Sequence, residues 1–409
     1  MPGRLRSLPT FAAFRHRNFR IFYGGYVVSL TGIWMQRVAQ SWLVLDLTGS
    51  AFYVGLIEAL GTVPVLLFTL YAGAVADRVS KHRMVVATQA FAMVVAFGFA
   101  VMVWLDLATI GAIAVLAALL GVATAFDIPA RQSFFVEIVG KEDLASAIAL
   151  NASAFNATRV LGPAIAGMLI GVVGVAACFL LNGLSYVAVL VALLAMRIPS
   201  SRHPVIPSRS AWSNILEGLR YVAGEARTRV LLLNVAVMSI CGLPALTLLP
   251  VLARLELGQG AREYGWMMSA VGGGALIGAL AVATVANRIP KGRVVGWAAA
   301  LFGASVAALG FSGSVLVALV ILTVLGLAMI TTTALSNMLL QTLVPDGLRG
   351  RVVSVYTFSF VGMAPIGALL GGAAAERFGV AATLGVGGLL TIAAAGGLLL
   401  RSRELQAAR

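Results

Sequence analysis

Three charged side chains stand where charge is costly to place: Arg37, Glu58 and Arg159 each lie inside a long apolar run. A carboxyl group in apolar surroundings has its pKa raised and can exchange a proton, whereas a nearby Arg pulls that pKa back down. Arg37 lies nine residues before Asp46, at the outer end of its run, and Glu58 about seven residues into the next run. At 1.5 Å per residue, adjacent antiparallel helices put the two at similar depth. The spacing fits a permanent ion pair, or a site where a proton, Arg37 and a cation compete for one carboxylate. Glu58 is read as the only acid inside a run. Arg159 lies near the middle of its run. A charge there costs from about 2.5 to more than 10 kcal/mol if it faces lipid. It is therefore expected to face the interior, either in a contact between helices or against an anion or other small molecule in a cavity. Gln36, Asn156 and Tyr356, with Gln40, Asn151, Asn234 and Asn337, are further polar cavity candidates. Each could equally bridge helices by hydrogen bonds.

Other chemistry has no matching pattern. Gly140-Lys141 is followed by Glu142, so no phosphate-cradling G-x-x-x-x-G-K-[ST] loop is formed. His16, His82 and His203 fall outside the apolar runs, and no HExxH or Ser/His/Asp set lies within them. Cys178 and Cys241 sit singly in apolar runs and read as small buried hydrophobes. The expectation is no catalytic residues, no enzyme, no cofactor and no metal.

The elements that must position these groups follow from composition. Of 409 residues, 60% are hydrophobic and 11% charged, against roughly 25% charged in soluble domains. So few charges cannot cover a water-facing surface. A helix crossing a bilayer needs about 20 mostly apolar residues. Twelve such runs are read at 19–46, 52–76, 84–105, 109–128, 145–172, 175–196, 229–253, 264–285, 294–311, 315–340, 351–375 and 380–400. They lack the alternation of a transmembrane β-barrel.

The net charge of +14 would suggest nucleic acid in a soluble chain. Here it is read as the excess of Lys and Arg on cytoplasmic loops, with no nucleic-acid partner. The twelve-run count puts 24 of the 29 Lys and Arg on one side, with Arg254, Arg262 and Arg377 opposite and Arg37 and Arg159 inside. That asymmetry predicts cytoplasmic N- and C-termini. The first run follows Arg4, Arg6, Arg15, Arg17 and Arg20 without a clear small-residue cleavage site and reads as an uncleaved span.

The predicted organisation is a six-helix half at 1–196, a linker at 197–228 and a second six-helix half at 229–409. The linker opens with Pro199, Pro204 and Pro207. It continues with Trp212, Ile215, Leu216, Leu219 and Val222 at helical spacing opposite Glu217, Arg220 and Glu225, the pattern of an amphipathic helix at a membrane surface. The halves repeat weakly. Ala76-Asp77-Arg78 returns as Ala286-Asn287-Arg288, and Gly162-Pro163 with Gly167 returns as Pro365 with Gly367 and Gly371. Two repeated halves facing a midplane cavity form a transporter architecture.

Residues 73–83, Gly73-Ala-Val-Ala-Asp77-Arg78-Val-Ser80-Lys81-His82-Arg83, resemble the loop signature of the major facilitator superfamily, with Ser80 where a second Gly is frequent. Asp127-Ile-Pro-Ala-Arg131-Gln132, Arg159-Val-Leu-Gly162-Pro163, Leu348-Arg349-Gly350-Arg351-Val352 and Gly362-Met-Ala-Pro365 narrow the resemblance. The set looks like the branch of enterobactin exporter-like, multidrug and macrolide efflux carriers, from about Asn18 to Arg401. The resemblance implies an all-α integral membrane protein with twelve transmembrane helices in two pseudo-symmetric halves, placed in the bacterial inner membrane. It implies proton-driven export of a small molecule such as a siderophore or a drug. It also implies a gating latch of Gly73, Asp77, Arg78, Lys81, Arg83, Asp127 and Arg131, with Arg351 as the counterpart. Gly162, Pro163, Gly167 and Pro365 become hinge and packing residues. In the second half Asn287 replaces the acid, which makes that copy of the latch weaker. The chain is expected to act as a monomer with lipid, protons and a small-molecule substrate as partners. An importer or lysophospholipid flippase on the same fold, and a non-transporting membrane sensor or scaffold, remain the alternatives.

Overall fold

The computed structural model describes residues 9–196, 211–286 and 288–401, without the side chains of residues 9, 10, 70 and 211–215. Arg4, Arg6, the linker prolines, Asn287, Arg403, Arg409 and the side chains of Trp212 and Ile215 lie outside the described residues. Hydrocarbon offers the backbone no hydrogen-bond partner, so each crossing segment must bond within itself. The described residues accordingly form helices: α1 (Arg17–Thr48), α2 (Ala51–Ala76), α3 (Lys81–Trp104), α4 (Ile110–Val139), α5 (Leu144–Val173) and α6 (Val175–Leu194). Then come the linker helix α7 (Ala211–Gly224), α8 (Ala226–Glu256), α9 (Ala261–Val285), α10 (Lys291–Leu309), α11 (Val315–Leu343), α12 (Asp346–Phe378) and α13 (Val380–Leu400). Eleven segments are long and apolar enough to cross a membrane. The twelfth long helix, α1, has 32 residues and carries Gln36, Arg37 and Gln40 in its middle, which dilutes its apolar content.

Two predicted ends need correction. The fourth run was expected to stop at 128, yet α4 continues to Val139 and is closed by Gly140 at φ 71°. Pro129 lies inside it and does not end it. Glu58 is also not the only acid within these helices: α1 carries Asp46, α4 carries Asp127 and Glu137, and α12 carries Glu376. The eleventh run begins at Asp346 rather than 351: Pro345 precedes the helix, and Asp346 in its first turn favours the N-terminal dipole.

The repeat seen in sequence reappears in packing. In the first half α3 packs on α4 and α6; in the second, α10 packs on α11 and α13. A Cβ on Gly121 in α4 would overlap the Gly61 carbonyl of α2, and one on Gly274 in α9 would overlap the Thr323 carbonyl of α11. Small residues thus let equivalent helix pairs approach backbone to backbone. Gly174 (φ 86°) and Gly379 (φ 84°) end α5 and α12 in the left-handed region, where a side chain would be strained.

Two helices are not regular. In α8, Leu243 N–H donates to Met238 O (2.9 Å) and Leu257 N–H to Leu252 O (3.0 Å), each closing a wide π turn. Pro244 and Pro250, which lack an N–H, lie between these turns. Helix α12 has a π turn at Phe358–Gly362, just before Pro365. The two helices meet there: Ser239 Oγ donates to Phe360 O at 2.7 Å, and Gly367 packs on the Ser239 and Ile240 carbonyls. Such turns recur where helices must bend or expose backbone groups.

Compactness divides the chain into Met1–Leu43 with Leu60–Ser208, and Val44–Ala59 with Arg209–Arg409. The first unit has its core in Phe19, Phe22, Phe134 and Phe135, with Tyr26 stacked on Phe22 at 5.2 Å. The second is centred on Leu231, Val235, Val295, Leu335 and Val352. Within the second unit, residues 44–59 are fastened by polar contacts. Asp46 pairs with Arg254 (2.5 Å), and Glu376 accepts from Ser50 Oγ (3.0 Å) and the Phe52 N–H (3.3 Å). A carboxylate at the start of α2 satisfies an orphan amide and favours the helix dipole. Gly55 lies against Ala368 and Gly372, leaving no room for a side chain. The linker helix α7 is also held here: Glu217 pairs with Arg351, and a Cβ on Gly218 would stand 2.8 Å from the Arg351 carbonyl oxygen. With Cys178 and Cys241 replaced by Ser, a S50C/E376C pair in membranes is expected to cross-link with a short bifunctional thiol reagent, read as a mobility shift. No cross-link with that reagent would contradict this contact.

Candidate functional site

Helices α1 and α5 each present one aromatic and one Arg to a common face. Trp34 and Arg37 are three apart on α1, and Phe155 and Arg159 four apart on α5, so each pair shares a helix side. The other three side chains converge on the Trp34 indole. The Arg37 guanidinium carbon lies 5.3 Å from its ring centroid and that of Arg159 lies 5.9 Å away. Phe155 meets the indole edge-on at 5.6 Å. Gly162 makes the approach possible: a Cβ there would stand about 2.5 Å from Trp34 Cβ and 3.1 Å from the Thr31 carbonyl. Trp34 is buried, Arg159 half-buried and Arg37 exposed. Among the described residues of this unit, no carboxylate pairs with either guanidinium. A cation–π contact supplies about 0.5–2 kcal/mol, well short of the cost of an unpaired charge in hydrocarbon.

The other cavity candidates have local partners. Gln36 is buried on a different face of α1, where its Oε1 accepts from Asn182 Nδ2 (2.5 Å) and its Nε2 has no partner. Ser185 Oγ donates to Asn182 Oδ1 (3.1 Å), extending this set along α6. Asn156 donates to the Ala152 carbonyl on its own helix (2.8 Å). Tyr356 is buried and donates to the Thr333 carbonyl (2.8 Å), tying α12 to α11. Glu58 is half-buried on α2. Pro163 and Gly167 are buried on α5, and Pro365 on α12.

The residues of the predicted latch separate into distinct contacts. Asp127 is buried and accepts from Thr88 Oγ1 (3.2 Å), Gln89 Nε2 (2.9 Å) and Arg131 Nε (2.9 Å). Arg131 also donates to the Tyr26 hydroxyl and lies over the Tyr26 ring at 4.9 Å. One network therefore joins α1, α3 and α4. Lys81 pairs instead with Glu137 at 3.8 Å. Asp77 and Arg78 are exposed in the turn after α2, and Arg83 is exposed on the first turn of α3, where its N–H meets the Ser80 cap at 3.4 Å. A Cβ on Gly73 would touch nothing within 4 Å. Arg351 is paired with Glu217 in the second unit. Tyr26, Thr88, Gln89 and Glu137 were not anticipated. The i, i+4 spacing of Asp127 and Arg131 was the available signal for a helix continuing through them.

These contacts set a stability contrast. Asp127→Ala leaves the Arg131 guanidinium without its carboxylate and is expected to cost about 3–5 kcal/mol, the usual loss on breaking a buried pair. Gly73→Ala should leave the midpoint of thermal unfolding within a degree or two, since no neighbour is met. Scanning fluorimetry of both variants in detergent checks the pair.

Comparisons with known proteins identify the family and the fold. The chain is 25% identical over 374 residues to the staphyloferrin A transporter of Staphylococcus aureus, covering 91% of this chain and 93% of that one. It is 27% identical over 373 residues to the multidrug efflux pump Tap of Mycobacterium tuberculosis, with 87% of each covered. It is 24% identical over 380 residues to the enterobactin exporter EntS of Escherichia coli, covering 92% and 90%. In fold it resembles an inward-facing bacterial homologue of the lysosomal transporter Spinster, with TM-score 0.76, 13% identity, and 96% and 98% of the two chains covered. The family model described as transmembrane secretion effector matches residues 8–408. The chain belongs to that family of the major facilitator superfamily, and is a multi-pass membrane transporter rather than an enzyme.

Proposed function

We propose that this protein is a proton-coupled exporter of an amphipathic small molecule, a siderophore or a drug, working by alternating access in the bacterial inner membrane. The observation that carries the reading is the near full-length match to three carriers named for siderophores or drugs, two of them named as exporter or efflux pump. Charge supports it. The excess of Lys and Arg on alternate loops favours cytoplasmic termini. Asp77, Arg78, Lys81, Arg83, Asp127 and Arg131, with Arg351, supply the charged groups at that side that a gating latch would use. The six-helix halves 1–196 and 229–409, joined by 197–228, are the moving bodies in this reading. Gly162, Pro163, Gly167 and Pro365 lie where close packing and bending are needed. The protein would work as a monomer. Glu58 is the candidate proton carrier, because a carboxyl group within a span can take up and release one proton per cycle.

Proteoliposomes with an internal pH dye test this reading. Candidate siderophores and cationic dyes are added in turn to wild type and Glu58→Gln. Proton movement that follows addition of a transported compound, and falls at least tenfold in Glu58→Gln, is the expected result. Transport of a compound without any proton movement would refute antiport. Proton movement retained in Glu58→Gln would assign the carrier to another group.

A further inference from the structure

We infer that Arg37, Trp34, Phe155 and Arg159 form an anion-binding site, one that takes an oxyanion, such as a carboxylate, attached to an aromatic or similarly apolar body. This deepens the proposed export function and rests on it only for the claim that the bound molecule is cargo. Three observations carry it. Two guanidiniums face one indole, at 5.3 and 5.9 Å from its centroid, so their charges repel. Among the described residues of their unit, no acid neutralises either. The aromatic contact offsets only part of the cost of holding two cations within membrane-spanning helices. An oxyanion between the forks would relieve both the repulsion and the desolvation, and guanidinium geometry suits it because each fork can give two parallel hydrogen bonds. The surroundings select the rest of the ligand. Phe155 is 43% exposed and stands beside the charged groups. Its ring offers an apolar or aromatic body a stacking surface. The positions also bear on access. Arg159 lies mid-helix, half-buried, while Arg37 is exposed and 11 residues, about 16 Å, from the end of α1. One side chain holds the anion at depth and the other reaches the open face.

The oxyanion could belong to a soluble cargo or to a lipid headgroup, and the test separates them. The full-length protein is placed in nanodiscs of phosphatidylcholine. Binding is read by fluorescence anisotropy with 5-carboxyfluorescein, an aromatic polycarboxylate, and with rhodamine 6G, a cation on the same ring system. Carboxyfluorescein is expected to bind saturably and to weaken about tenfold or more in both R37Q and R159Q. R37K and R159K should fall between, since Lys keeps the charge without the fork. Rhodamine 6G binding should be unchanged or tighter in the Gln variants. Carboxyfluorescein affinity unchanged in R37Q would overturn the site, as would wild-type protein that binds only the cation. R37Q alters an exposed side chain, so it carries the test even if R159Q does not fold. Adding phosphatidylglycerol to the discs completes the comparison. Competition that disappears in R37Q identifies a lipid headgroup as the anion, and its absence identifies a soluble one. No proton gradient is involved, so the site can hold while export fails, or fail while export holds.

Discussion

Everything in this chain is arranged around the absence of water along most of its length. Backbone groups must pair within their own helix. Charged side chains must find a partner or a wet surface. Apolar residues, which drive folding in water, give helices little reason to prefer each other over lipid. What holds the helices together is then close backbone approach and a few polar contacts. The glycine contacts Gly121–Gly61, Gly274–Thr323 and Gly162–Trp34 are of the first kind. The Asp127–Arg131–Tyr26 network and the Glu376 cap on α2 are of the second.

That constraint explains why the charged residues divide as they do. Arg131 is balanced by Asp127, and Lys81 by Glu137, all on helices of the first unit. Asp46 with Arg254 and Glu217 with Arg351 are balanced in the second. Arg37 and Arg159 have only an aromatic face between them. A structural role would have been served by a carboxylate beside either one. Charge placed at a cost and left without a matching acid in its own unit is the form expected of a site that recognises something arriving from outside.

Much of the fold was legible because spanning length is a direct physical requirement. Most predicted ends lie within a turn of the observed helix ends. The exceptions lie where polar residues extend a helix beyond its apolar run. Residues 129–139 read as a loop because Arg131, Gln132 and Glu137 are polar, yet the helix continues and holds Arg131 against α1 and Glu137 against α3. Sequence spacing could show Asp127 and Arg131 on one face, but not that Gln89 and Thr88 would meet them. The π turns of α8 and α12 were likewise invisible, since proline position marks a disruption without giving its form. At the site, Arg37 and Arg159 stood out as charges in apolar runs. Their common partner Trp34 did not, because an aromatic residue in a membrane helix is ordinary until a second helix is seen to bring a cation over it.

In the proposed anion site, Arg37 and Arg159 line a space that solutes and water can reach, and do not face lipid. The most direct measurement is cysteine accessibility. With Cys178 and Cys241 replaced by Ser, Arg37→Cys and Arg159→Cys are treated with a membrane-impermeant thiol reagent in whole cells and in inverted vesicles. Both cysteines are expected to react, and a transported compound is expected to slow the reaction. Two cysteines inert from both sides of the membrane would contradict it.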